Sequence, residues 1–337
     1  MSGPRALVAP DSFKGTFSAA DVADAVARGL ERGGVTADRC PVADGGEGTM
    51  SVMLAALGGR IAQASSRDPL GRPVSAQLAL LDEGARALVE TAAASGLALL
   101  AEHERDPWSA STWGTGRLIG AAVEAGAREV LVAVGGSATV DGGRGALAAI
   151  EESGGLAGAR ITVLCDVATP WERCAEIYGP QKGADAAMVA RLATRLERFA
   201  DELARDPRGV AMTGAAGGLA GGLWSALDAR LVGGADHVLD AIGFDRRLRE
   251  VDAVIVGEGR IDEQSAMGKV AGVIARRALA AGMPAHAIVG RNALDPAIGQ
   301  AIGLRSIVEA TTLAQLEAAG ERIAAAIGAA GHAPRTR

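Results

Sequence analysis

The chain has 337 residues and a net charge of −6; 49% of its residues are hydrophobic, yet aromatics supply only 3%. That length holds two domains of ordinary size, with cores that must be built from Ala, Val, Leu and Ile. The acidic balance leaves no basic stripe, which argues against nucleic acid or an anionic membrane surface as a partner. Cys40, Cys165 and Cys174 are an odd number without metal or redox spacing, the usage of a reducing compartment. No apolar run approaches the ~20 residues of a membrane-spanning helix. The opening MSGPR leads straight into a strand pattern, so a cytoplasmic protein is expected.

Residues 5–9, RALVA, predict a first strand, followed by the loop PDSFKGT. Ser18 is placed to cap a helix over 19–32 that Gly33 and Gly34 stop. A second strand at 37–42 runs into ADGGEGT, whose end opens another helix. Over 60–93 the pattern changes to extended segments joined by Pro/Gly turns, the start of a mixed-sheet domain. A helix over 114–125 follows. Then the unbroken apolar run Val130 to Val134 predicts a strand buried on both faces of a parallel sheet. Its continuation, GGSATVDGG, bends a glycine-rich backbone into a helix expected to begin near Asp141, a combination that attracts anions.

A strand at 160–164 ends in CDVATP, and GPQKGA precedes a long amphipathic helix over 185–204. TGAAGGLAGGL reads as a loop running into a closely packed helix. From 252 the first pattern returns: VDAVIVGEGRIDEQ is a strand and then a polar glycine loop, with a helix reaching Ala281. AHAIVG and LRSIV are two more strands, and a final helix covers 312–327. The alternation predicts an α/β fold. A Rossmann-like parallel-sheet domain, discontinuous over 1–65 and 250–330, carries an inserted second α/β domain with a mixed sheet at 66–249.

Several familiar signatures are missing. No G-x-G-x-x-G joins the first strand and helix, and Gly268-Lys269 lacks the rest of a Walker A loop. The four histidines fall outside the glycine loops, leaving a Ser-His-Asp hydrolase without a base. Five loops do mix glycine with carboxylate, lysine or both: DSFKG, ADGGEGT, GGSATVDGG, GPQKG and GEGRIDEQ. Phosphoryl transfer needs that mixture. Backbone N–H groups and ammoniums hold phosphate oxygens, carboxylates hold Mg²⁺, and one carboxylate accepts the acceptor's proton. Lysine adds a separate clue. Of 34 basic residues only Lys14, Lys182 and Lys269 are lysines, each beside a glycine, as if each site needs a compact ammonium. Lys14→Arg and Lys269→Arg are expected to keep the fold and lose activity. GPQKG could instead be a tight turn with Lys182 in solvent.

At these same residues the chain resembles the bacterial glycerate kinases with two α/β domains. APDSFKGTFSA at 9–19, PVADGGEGT at 41–49 and ETAAASGLALL at 90–100 are similar to that family. So are GGSATVDGG at 135–143, GPQKGA at 179–184, GAAGGL at 214–219 and GEGRID at 257–262. The resemblance implies transfer of the ATP γ-phosphate to D-glycerate with Mg²⁺, usually at the 2-hydroxyl. The product would be 2-phosphoglycerate, or else 3-phosphoglycerate, in glycerate and glyoxylate catabolism, made by a monomer or homodimer. The chain also departs from the family. Val140 stands where asparagine is usual, Trp113 where tyrosine is, and Glu263 where glycine is; the segment after Gly145 is shortened, and ATPWERCAEI follows CDV. Val140→Asn is expected to lower KM without a fold penalty.

On this reading Lys14 and Lys269 neutralise anionic oxygens, and Asp141 or Asp11 is the general base. Asp44, Asp166 and Asp262 are the candidate Mg²⁺ ligands. Gly135, Gly136, Ser137 and Thr139, with Gly217 and Gly218, would meet phosphates through the backbone. Ser12, Gly45, Gly46 and Glu47 are further substrate or nucleotide contacts, as are Gln181, Lys182, Glu258 and Arg260. The alternatives are a kinase for another small hydroxy acid, or a non-catalytic sensor of nucleotides or sugar acids.

Overall fold

A computed structural model of the chain describes residues 3–263, 265 and 268–330. Among them, eleven strands form two sheets. In chain order they are β1 (Arg5–Pro10), β2 (Thr36–Arg39), β3 (Arg60–Arg67), β4 (Pro73–Leu81), β5 (Arg86–Glu90) and β6 (Glu129–Ala133). They continue with β7 (Arg160–Cys165), β8 (Arg230–Gly233), β9 (Ala253–Ile261), β10 (Ala285–Asn292) and β11 (Leu304–Glu309). The chain divides into two compact units: Met1–Asp44 with Val238–Arg337, and Gly45–His237.

The first unit holds the sheet β11-β10-β9-β1-β2, parallel throughout. β1 pairs with both β2 and β9, so late strands complete a sheet begun at residue 5. The helix Ala19–Arg32 starts as the sequence dictates. Ser18 Oγ accepts from Asp21 N, and the Asp21 carboxylate accepts from Ser18 N, each at 3.1 Å. Its apolar face (Val22, Val26 and Leu30) packs with Val8, Ile255, Leu316 and Ile323 into one core. β9 runs further than expected. Rather than opening into a loop at Gly257, it continues to Ile261, because β10 keeps pairing with it at Arg291–Arg260 and Asn292–Ile261.

The second unit holds the sheet β3-β4-β5-β6-β7-β8. Antiparallel pairing joins β3, β4 and β5, and parallel pairing joins β5 through β8. The fold is therefore mixed α/β, with a parallel sheet in one unit and a mixed sheet in the other. The division falls at 44/45 and 237/238, whereas the sequence suggested 66 and 249. β3, beginning at Arg60, pairs with β4 along its whole length and so belongs wholly to the second unit. The helix Ala186–Glu202 is capped by Asp185, whose carboxylate accepts from Met188 N at 2.7 Å. Its Leu192, Leu196 and Phe199 join Trp171, Cys174 and Val140 in a small separate core. Among the described residues, no helix is long and apolar enough to cross a membrane.

Candidate active site

Parallel sheets bind ligands beyond the carboxyl ends of their strands, and a cleft of about 440 Å³ lies there in the first unit. Of the sequence candidates it collects Asp11, Ser12, Lys14, Asp44, Glu258, Arg260 and Lys269. Asp11 follows β1, its N–H donating to Gly257 O at 2.8 Å, and its carboxylate accepts from Ser12 N at 2.6 Å. Asp44 has a side chain only 4% exposed, and Lys14, largely exposed, places Nζ 3.9 Å from its Oδ2. Glu258 is buried on β9; its Oε2 accepts from Ser265 Oγ at 3.0 Å. Its Oε1 is buried with no hydrogen-bond partner among the described residues. Lys269 sits at the N-cap of the helix Val270–Ala280, where its backbone turns and its side chain lines the cleft.

Burial, reinforced by the neighbouring Asp44 carboxylate, pushes the Asp11 carboxyl up to about 8. Burial likewise raises Glu258 to about 7, against the pull of Lys269 and the Ser265 hydrogen bond. Both groups are thus held near neutrality in a cleft rimmed by cations, the condition in which a carboxylate can take and return a proton. Asp262 does not line the cleft: its Oδ1 accepts from Ser265 N at 3.1 Å, and Arg260 lies 3.5 Å from its Oδ2. Among the described residues, no group of three or more His, Cys, Asp or Glu is arranged to enclose a metal ion.

In the second unit the glycine loops pack on each other through bare backbone. A Cβ on Gly135 would lie 2.6 Å from Gly46 Cα. Gly217, at φ +65°, approaches so closely that a Cβ there would lie 2.0 Å from Thr139 O. The Trp171 ring fills the remaining space against Gly142, Gly218 and Gly221. Gly45 is buried in the same way beside Gly234 and Leu164, while Glu47 is exposed with its carboxylate next to Gly136. The loop at 214–218 offers fewer amides than its composition suggests. Gly214 N donates to Thr169 O, Ala215 N to Met212 O and Gly218 N to Gly214 O.

Lys182 is not in solvent. It is 2% exposed, and its Nζ donates to Ser137 Oγ at 2.8 Å and Thr139 O at 2.7 Å. Burial lowers its pKa to about 8, partly opposed by Cys174, Asp141 and Asp166. It is the pin of the 135–139 loop, while neighbouring Gln181 is exposed. Asp141 is also engaged. Its carboxylate accepts from Gly143 N at 3.0 Å, Gly145 N at 3.2 Å, Thr112 N at 2.9 Å and Thr112 Oγ1 at 2.8 Å. It caps a helix that begins at Arg144, three residues later than expected. Four donors already engage its two oxygens, which suits a helix cap better than a group that must meet a substrate hydroxyl. Asp166 is half-buried just after β7. Val140 is fully buried among Trp171, Leu192 and Leu196, so an asparagine there would meet an apolar core rather than a ligand.

The sequence reading missed Arg291 and Thr311, which line the first unit's cleft. The available signal was position: each closely follows the apolar run of a parallel strand, β10 or β11. It also missed Glu90, a buried carboxylate whose Oε1 accepts from Met50 N at 2.7 Å, supporting a helix start where glycine supplies no side-chain cap.

A model of the glycerate kinase family matches residues 6–153 and 149–332. The glycerate kinase of Bacillus subtilis (strain 168) is 38% identical over 329 residues, covering 86% of this chain and 85% of that protein. The glycerate 2-kinase of Escherichia coli (strain K12) is 36% identical over 301 residues, 78% of this chain and 79% of its own. A crystal structure from Salmonella typhimurium LT2, described as a glycerate kinase 2, superposes with a TM-score of 0.81 at 32% identity, covering 98% of this chain and 100% of that one. With the motifs, the matched length and the fold all in agreement, the chain belongs to the glycerate kinase family.

Proposed function

We propose that the protein transfers the γ-phosphate of ATP to the 2-hydroxyl of D-glycerate, giving 2-phosphoglycerate in glycerate and glyoxylate catabolism. The observation that carries this reading is the cleft in the first unit, where Asp11, Asp44 and Glu258 lie buried beside Lys14 and Lys269. Asp11 accepts the proton of the attacking hydroxyl; with a pKa raised to about 8 it is near the range where a general base works best. Lys14 and Lys269 meet the acid's carboxylate and the phosphates as compact charges. Ser137 and Thr139, gripped by Lys182, hold the 135–139 backbone in the conformation that presents N–H groups to phosphate oxygens.

The chemistry calls for Mg²⁺, and the donors present fit it. Asp44 and the partnerless Glu258 Oε1 supply hard oxygens, and Mg²⁺ is commonly held by one or two carboxylates plus substrate phosphates rather than by a full protein cage. When bound, the ion neutralises charge developing on the phosphates. Asp262 is committed to Ser265 and Arg260 and takes no part.

The test is ADP release with D-glycerate, L-glycerate and other small hydroxy acids, with the product identified by NMR. Turnover of D-glycerate to 2-phosphoglycerate, abolished by excess chelator, is expected. Preference for a different hydroxy acid, 3-phosphoglycerate as product, or ATP binding without turnover would each replace this reading with a named alternative.

A further inference from the structure

The second unit carries another cleft, of about 350 Å³, lined by none of the residues given catalytic or binding roles above. It is lined by Trp108, Arg144, Arg191, Arg195, Arg198 and Glu202. Four of these lie on one face of the helix Ala186–Glu202, at positions 191, 195, 198 and 202. Glu202 is its one carboxylate, already paired with Arg144 at 2.6 Å. Among the described residues Arg191, Arg195 and Arg198 form no ion pair. Asp141 and Asp106 reach Arg195 only at longer range.

The guanidiniums are also fixed in place. Arg191 and Arg195 stack on the Trp108 ring, 4.2 and 4.6 Å from its centroid. Arg195 donates to Trp108 O and Val140 O, each at 2.6 Å, and to Pro107 O at 3.2 Å: neutral carbonyls only. In a chain of net charge −6, three guanidiniums without an ion pair around one concavity, two of them held against Trp108, are a ready receptor for negative charge.

We propose that this cleft binds a small polyanion of metabolite size, bearing phosphoryl or carboxylate groups, between Arg191, Arg195 and Arg198. The volume is at the low end of ligand pockets and exceeds what a bare phosphate fills. The forks of Arg191 and Arg198 match either oxyanion in bidentate fashion, while Arg195, whose Nη donors already meet carbonyls, adds its charge. The site also touches the glycine loop: Arg195 holds Val140 O, one residue past the Thr139 O held by Lys182.

Isothermal titration of the full chain with inorganic pyrophosphate and, separately, citrate tests this without requiring kinase activity. Arg191→Ala/Arg198→Ala removes two exposed side chains and no core contact, and Lys14→Ala disables the other cleft. Saturable binding of at least one anion, weakened ~10-fold or more in the double variant and unchanged in Lys14→Ala, is expected. Which anion binds sorts phosphoryl from carboxylate recognition. No saturable binding at millimolar concentration, full binding by the double variant, or loss in Lys14→Ala instead would overturn the proposal.

Discussion

Lys182→Met examines the buried ammonium that pins the 135–139 loop. Lys182 is enclosed, and its pKa falls from 10.5 to about 8. Between those values the unfolded chain carries the proton and the folded chain does not, so unfolding takes up a proton and stability rises with pH. Below the window the charge remains buried at a cost of ~3 kcal/mol, at ~1.4 kcal/mol per decade. Methionine removes that cost but strands Ser137 Oγ and Thr139 O, each worth ~1–3 kcal/mol when left unsatisfied. The two effects oppose, leaving little net change at pH 7. The pH dependence separates them. Urea unfolding from pH 7 to 10 should show wild type gaining on the variant by ~1.4 kcal/mol per pH unit above pH 8. Asp11 and Glu258 titrate alike in both proteins and cancel in the difference. Parallel curves would refute a lysine with a burial-lowered pKa. Independently, kcat/KM should fall at least ~10-fold as the loop loses two anchors.

Lys14→Arg and Lys269→Arg should keep the melting temperature while kcat/KM drops at least ~10-fold, about 1.4 kcal/mol; wild-type kinetics in both would sever the lysines from the reaction. Lys182→Arg should instead lower the melting temperature, since its larger fork enters an enclosed site. Asp11 is raised above its unfolded 3.8, so the folded chain holds a proton that the unfolded chain lacks, and stability falls as pH climbs towards about 8. Asp11→Asn should flatten that fall and cut kcat ~100-fold; an unaltered stability–pH profile counts against it. Val140→Asn buries an amide in an apolar core and should cost ~1–3 kcal/mol in chemical denaturation, reversing what the family comparison suggested. Gly217→Ala should be at least as damaging, ~3 kcal/mol by thermal unfolding, because its Cβ meets the Thr139 carbonyl.

Local signals in the sequence were read well. The apolar run of β1, the Ser18 cap and the amphipathic helix after GPQKGA each depend on residues within a few turns or one strand, and each element formed about where those residues put it. Non-local facts were harder. Whether Lys182 faces water depends on Ser137 and Thr139, 45 and 43 residues away. The extension of β9 through GEGRI depends on pairing with β10, not on its own glycines. The division near 45 falls inside the loop ADGGEGT, before any change of pattern, so only three-dimensional packing reveals it. Asp11, Asp44, Glu258 and the lysines of the first cleft were recognisable because their loops mix glycine with charge. Arg291 was not, since one arginine among many carries no pattern of its own.

The position of Trp171 has an optical consequence. It is one of four tryptophans and 1% exposed. The others each lie against a guanidinium: Trp113 under Arg67, Trp108 under Arg191 and Arg195, and Trp224 under Arg205. The blue edge of the intrinsic fluorescence therefore belongs to one indole, wedged where the two glycine loops meet. Any event that parts or tightens those loops changes its emission, so the enzyme carries its own dye for following the loops in real time.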